Sequence, residues 1–235
     1  MWTETVSDSD DVLAQKLALS VSKQLNACLN EKNKACLAVS GGNTPIAFFQ
    51  YLSQQTLDWG KVTIILVDER WLPIDHKDSN EKLVRDHLMQ NNAKKAYFLG
   101  LKNNAEWPSE GIMDCETQLR TQIDHIDVVV LGMGLDGHTA SWFTGSNKLA
   151  ALLDGDTAAW CLPVEDEFLP QSRMSLTWRF MKRAKKLYLH FTGEEKNAVF
   201  VNACREEDDQ LPVSHVLHQD GITINVYRTE PEKSA

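Results

Sequence analysis

Residues 127–143 read DVVVLGMGLDGHTASWF, and the reading of this stretch decides the fold. An apolar, β-branched run from Ile126 to Leu131 stops at Gly132-Met-Gly134-Leu-Asp-Gly137. A continuous run of that kind fits a strand buried on both faces, as in a parallel sheet. The glycines match G-x-G-x-x-G. That pattern marks a dinucleotide loop when it opens a βαβ unit and an acidic residue ends the next strand about 20 residues on. Asp154 and Asp156 stand at that distance, yet no clear strand leads to them. A dinucleotide loop also has no use for an imidazole, and here Asp136 and His138 sit among and directly behind the glycines. Histidine is the side chain best suited to move protons near neutral pH. The plain alternative is a histidine that only caps a helix opening at Thr139.

Outward from this stretch, the pattern alternates strand and helix. Leu13, Leu17, Val21, Leu25 and Leu29 repeat every four residues and predict a first helix over 8–30, with Ser7, Asp8 or Ser9 as its cap. Strands are predicted at 34–40, 62–67, 97–99, 126–131, 186–191 and 222–227, the last closing the sheet. Helices are predicted from Thr44-Pro45 to about Gln54, then at 79–90, 111–123 and 194–204. This order argues for an α/β, single-domain, modified Rossmann-like fold. Its sheet is expected to be mostly parallel, with helices on both faces and one domain over 1–235.

Composition excludes several classes. Lys and Arg number 24 against 33 Asp and Glu, a net charge of −9. Nucleic-acid binding rests on neutralising phosphates and is therefore not expected. An anionic small molecule would need cations gathered locally against that global field. The five cysteines are widely spaced and form no C-x-x-C pair, so neither a disulfide framework nor a zinc knuckle is expected. They read as reduced thiols of a cytoplasmic protein. MWTETVSDSDD lacks the basic and apolar segments of a signal peptide, and no apolar run approaches about 18 residues. No membrane partner, metal or cofactor is expected, and a monomer is the expected state.

Open α/β sheets bind ligands at the carboxyl ends of their strands, so the loops there carry the functional reading. Ser40-Gly41-Gly42-Asn43-Thr44 lies between a strand and a helix start, where free N–H groups favour an anion; a tight turn with a cap is the alternative. Asp68, Glu69 and Arg70 follow an apolar strand, where a solvated charge cluster is the alternative. Arg173 begins RMSLT, and Lys196 lies just inside a helix after the strand ending at Phe191. If both bases face one crevice, they supply the local positive charge.

The stretches SGGNTP, DERWLP, LGMGLDGHTASWFTG, RMSLT and GEEK, in this order, resemble the 6-phosphogluconolactonase family, as does Ser79-Asn80. The resemblance spans Leu37 to Lys196, and DGHTAS is its specific part. It implies hydrolysis of 6-phospho-D-glucono-1,5-lactone to 6-phosphogluconate in the oxidative pentose phosphate pathway, without a dinucleotide. It implies His138 as general base and Asp136 as the residue orienting it. The phosphate falls to Ser40, Gly41 and Gly42 with Arg173 and Lys196, Thr44 assisting, while Asp68 and Arg70 face the substrate. The related glucosamine-6-phosphate deaminases carry a Glu five residues after the His and a Tyr after D-E. Here Phe143 and Arg70 stand at those places, which favours the lactonase. Trp142 stands in place of a Leu, a departure that could reshape the pocket rim. An NAD-dependent oxidoreductase and a non-catalytic sugar-phosphate sensor are the readings from other classes.

Overall fold

The computed structural model describes residues 1–230. In chain order its strands are β1 (Trp2–Ser7), β2 (Ala35–Val39), β3 (Val62–Leu66), β4 (Asp68–Arg70), β5 (Tyr97–Leu99), β6 (Val128–Leu131), β7 (Cys161–Val164), β8 (Arg173–Leu176), β9 (Lys186–Phe191) and β10 (Ile224–Thr229). The helices are α1 (Asp10–Lys32), α2 (Ile46–Ser53), α3 (Asn80–His87), α4 (Pro108–Gln122), α5 (Leu149–Leu153), α6 (Trp178–Met181), α7 (Glu194–Ala203) and α8 (Val213–His218).

Seven strands form one sheet in the order β1-β10-β9-β6-β2-β3-β5, every pair parallel. Every residue of β2 and β6 is buried, so layers cover both faces of the sheet centre. The α1 stripe packs on it: Leu13, Leu17, Val21 and Leu25 are fully buried. Ser9 caps that helix by accepting from the Val12 N–H at 3.3 Å, and Asp10 and Asp11 in the first turn favour its positive end.

The structure differs from the sequence reading in three places. The strand β10 does not close the sheet; the amino-terminal β1 pairs parallel to it and is the edge. The WTETVS stretch is mostly polar because only one flank and part of one face are covered. A second, three-stranded antiparallel sheet, β4-β8-β7, sits beside the first, and DER and RMSL are two of its strands. No helix opens at Thr139 either. The chain from Gly132 to Lys148 runs as turns with a single Thr139–Trp142 bridge, and α5 begins only at Leu149.

The order of the large sheet fixes where a ligand crevice forms. From the central β2 the chain moves to β3 and β5 on one side, then returns across β2 to β6 and continues to β9 and β10. The direction therefore reverses between β2 and β6, and the loops leaving their carboxyl ends separate. Those loops are Ser40–Pro45 and Gly132–Phe143, the two that carry the SGG and DGHTAS residues.

Candidate active site

A cleft of about 210 Å³ opens at this reversal, lined by Ser40, Gly41, Gly42, Thr44, Asp68, Arg70, His138 and Lys196 among others. Eight of the ten residues expected from the sequence thus meet in one place, drawn from the ends of β2, β3, β6 and β9. Asp136 and Arg173 stand outside the lining, each against a residue that belongs to it.

The β2 loop presents donors. Backbone N–H groups of Gly41, Gly42, Asn43 and Thr44 have no acceptor among the described residues, while Ser40 N–H is spent on Val130 O at 3.0 Å. Four successive unpaired N–H groups form an anion-attracting concavity. Gly41 is required there by close approach, since a Cβ would stand 1.9 Å from the Asn80 side-chain oxygen. The Ser40 hydroxyl accepts from Gly132 N–H at 3.0 Å and so ties this loop to the β6 loop.

The β6 loop presents the imidazole. His138 Nδ1 lies 2.5 Å from Asp136 Oδ1, which also accepts from the His138 backbone N–H at 3.2 Å. That hydrogen bond holds the Asp136 carboxyl below its ordinary value, opposed by partial burial. An ionised carboxylate accepts only, so Nδ1 carries the proton and Nε2 the lone pair. Gly134 makes room for the pair: a Cβ there would stand 2.2 Å from His138 Nδ1 and 2.6 Å from Asp136 Oδ1. The Gly134 N–H donates to His138 O at 2.9 Å and closes the turn. The imidazole packs on Phe143 with ring centres 4.6 Å apart.

Tertiary anchors hold this helix-free loop in place. Ser141 donates to Asp68 Oδ2 at 2.6 Å, Thr139 to Gly132 O at 2.8 Å, and Trp142 Nε1 to Leu176 O at 3.0 Å. Trp142 is fully buried and edge-on to Trp178, so it pins the loop to β8 from beneath and does not form the rim. Ala140 takes φ 49°, a left-handed conformation costly for a residue with a Cβ, and it lines the cleft.

The charges divide by role. Glu69, buried, accepts from the N–H groups of Arg70, Asn80 and Glu81 and from the Ser79 hydroxyl, so it caps α3 and does not face the cleft. Burial pushes its carboxyl upward and those donors pull it back. Arg70 donates to Asp78 O at 2.6 Å and lines the cleft. Arg173, its register partner in β8, sits 3.6 Å from Asp68 Oδ2 and lies over the Phe143 ring at 5.1 Å. Arg173 thus supports Asp68 and Phe143 from behind, a placement that its half-buried strand start imposes. Lys196 reaches across from α7 to the Thr44 hydroxyl at 3.4 Å, and burial pushes its ammonium below the ordinary lysine range.

Among the cleft residues that the sequence reading did not assign to the site are Asn80 and His190. Asn80, at the start of α3, donates to Asp68 O at 2.8 Å and abuts Gly41. His190 lies within the apolar β9 run KLYLHF, where its spacing reads as core. A polar residue inside a wholly buried strand was the available signal.

The family model described as glucosamine-6-phosphate isomerases/6-phosphogluconolactonase matches residues 8–225. The chain belongs to this family. Within the glucosamine-6-phosphate isomerase/6-phosphogluconolactonase family, it is 38% identical over 221 residues to a 6-phosphogluconolactonase of Neisseria meningitidis serogroup A, covering 92% of this chain and 94% of that protein. It is 40% identical over 215 residues to that of Pseudomonas aeruginosa, covering 91% and 90% of the two chains. The crystal structure of a 6-phosphogluconolactonase from Shewanella baltica superposes with a TM-score of 0.94 at 38% identity, covering 98% of each chain. Family membership accounts for the Rossmann-like, mostly parallel sheet. The dinucleotide reading of Gly132–Gly137 also fails on local structure, since no helix starts at the glycines and Asp154 follows helix α5, not a strand.

Proposed function

We propose that this chain hydrolyses 6-phospho-D-glucono-1,5-lactone to 6-phosphogluconate with His138 as the general base. One observation carries the reading: His138, 2.5 Å from Asp136, lines the same cleft as four free N–H groups and Lys196. The names of the relatives at 38% and 40% identity support the same substrate.

The chemistry follows from the placement. A lactone is an ester, and water attacks it slowly without a base. His138 Nε2 takes a proton from water as its oxygen bonds to C1, giving a tetrahedral oxyanion and an imidazolium. Asp136 stabilises that imidazolium and fixes its tautomer. Collapse of the intermediate breaks the bond from C1 to the ring oxygen, and the imidazolium returns its proton to that oxygen. The proton count closes on neutral His138. Such transfers contribute about 10²–10⁴ in rate, and positioning supplies more.

The phosphate belongs against the N–H groups of Gly41, Gly42, Asn43 and Thr44 with Lys196 as counter-charge. Ser40 holds that loop against the base loop. Arg70 and Asp68 face the sugar hydroxyls, and Arg173, 3.6 Å from Asp68 Oδ2, holds Asp68 in place. This assignment gives the acidic chain the local positive charge that an anionic substrate needs.

The test is lactone opening followed with the spontaneous rate subtracted, run beside glucosamine 6-phosphate deamination. Acceleration of the first without ammonia release in the second is the expected result. A lactone rate equal to background sinks the proposal, and ammonia release moves the chain to the deaminase branch of its family.

A further inference from the structure

His190 is the titratable side chain of the cleft that the mechanism above leaves idle. It sits one residue before β9 ends, opposite Tyr227 of β10, and is 3% exposed. Neither ring nitrogen has a hydrogen-bond partner among the described residues, and Nε2 is wholly buried. Its other neighbours in β9, Leu187, Tyr188, Leu189 and Phe191, are buried with a large apolar surface, and Phe48 meets its ring edge-on at 6.1 Å. A leucine or phenylalanine would satisfy that surrounding without burying an unpaired polar group, which costs stability. The histidine is therefore held against the preference of its own strand, a pattern that marks function rather than packing.

The chemistry of the neighbourhood names what it faces. His190 and Lys196 come from the same strand–helix unit and line the same cleft as Ser40–Thr44. Burial, with the nearby Lys196 charge, pushes the His190 pKa down to about 4, so the ring is neutral at physiological pH. A neutral imidazole has one N–H to donate and adds no second buried positive charge beside the lysine.

We propose that His190 is a phosphate-binding residue of this cleft: its neutral imidazole donates one hydrogen bond to a phosphoryl oxygen already held by Lys196 and the Gly41–Thr44 N–H groups. That bond adds to the hold on the phosphate end of the substrate. The identity of the substrate rests on the lactonase reading; recognition of a phosphoryl group does not, and it can be measured with phosphate alone.

Binding of inorganic phosphate and of 6-phosphogluconate is measured by calorimetry for the wild type and for His190→Phe, His190→Gln and His190→Asn, with gluconate as the unphosphorylated control. His190→Phe is expected to weaken both phosphorylated probes and raise KM about tenfold, to leave gluconate unchanged and to keep kcat close to wild type. A side-chain amide restores the donor, so Gln is expected to recover binding if Nε2 is the donor and Asn if Nδ1 is. Phosphate affinity and KM within about twofold of wild type in a folded His190→Phe protein overturn the proposal. Should that variant not fold, nitrogen-15 histidine spectra of the wild type decide. The ring that stays neutral at about pH 5.5 must shift on phosphate saturation, and an unmoved ring overturns the proposal. Phosphate binding that depends on His190 in a protein without lactone turnover would sink the lactonase reading and sustain this one. Lactone turnover with phosphate binding indifferent to His190 would do the reverse.

Discussion

Strand β6 carries an aspartate–histidine pair at each end, and only one faces the cleft. At the amino end, Asp127 is fully buried, with His125 Nε2 at 3.2 Å and Lys32 Nζ at 2.8 Å, and it accepts from Cys36 N–H at 2.8 Å. At the carboxyl end, Asp136 is 59% exposed at its side chain and contacts His138 alone at 2.5 Å. The first pair is closed: Lys32 also lies 2.9 Å from His125, so one lysine serves both partners in a recess of about 40 Å³. The second is open, with one ring nitrogen left over and a cleft in front of it. Residue types are the same at both ends; satisfaction and topology separate a closed ion cluster from a pair open to the cleft. The parallel sheet decides which end is which, because strand order reverses where the carboxyl ends of β2 and β6 diverge.

The sharpest way to break this contrast is to remove each histidine in turn. His138→Ala is expected to lower lactone kcat by about 10²–10⁴, whereas His125→Ala is expected to leave kcat/KM near wild type. Equal losses would erase the distinction between the ends. Gly134→Ala comes next. Its methyl group would displace an imidazole 2.2 Å away, and a misplacement of about 1 Å costs roughly 10² in rate. The checks are kcat and an unchanged melting temperature. A fully active Gly134→Ala enzyme would show that the Asp136–His138 geometry is not needed.

Lys196→Gln is expected to raise KM about tenfold and to move kcat much less; the reverse split would move Lys196 from phosphate to chemistry. At the closed end, Asp127→Ala is expected to act on stability. It strands the buried Cys36 N–H, and denaturant melts should show a loss of about 1–3 kcal/mol with catalysis intact. Smallest is a pH effect. The unfolded chain protonates His190 near its ordinary value of 6.5, the folded chain only near 4. Between these values the unfolded state binds more protons, so stability falls as pH drops through that window. His190→Phe should flatten that slope in melts taken from pH 7 to 4, and an unchanged slope would assign it to other groups.

What the sequence disclosed and what it hid divide along physical lines. The buried strands at Val62 and Val128, the α1 stripe and the glycine loops were legible because burial on a regular element leaves a period or an unbroken apolar run. The small sheet was not, because strands as short as Asp68–Arg70 are held by pairing with β8 and carry no pattern of their own. The segment after Gly137 reads as a helix start, yet Ser141, Trp142 and Thr139 bond to distant groups and keep it irregular. Long-range anchors of this kind leave no local signal. The places of His138 and Lys196 in the cleft were legible through the strand ends they follow, whereas His190 lay inside a strand and was absorbed into the core by its spacing.

The measurement that bears most directly on the account pairs turnover with binding in His138→Ala. With spontaneous lactone opening subtracted, the account predicts a fall in kcat of at least about 10². It also predicts a 6-phosphogluconate dissociation constant close to that of wild type, because the phosphate wall is untouched. Turnover near the wild-type rate, in a variant that still binds 6-phosphogluconate, would contradict it.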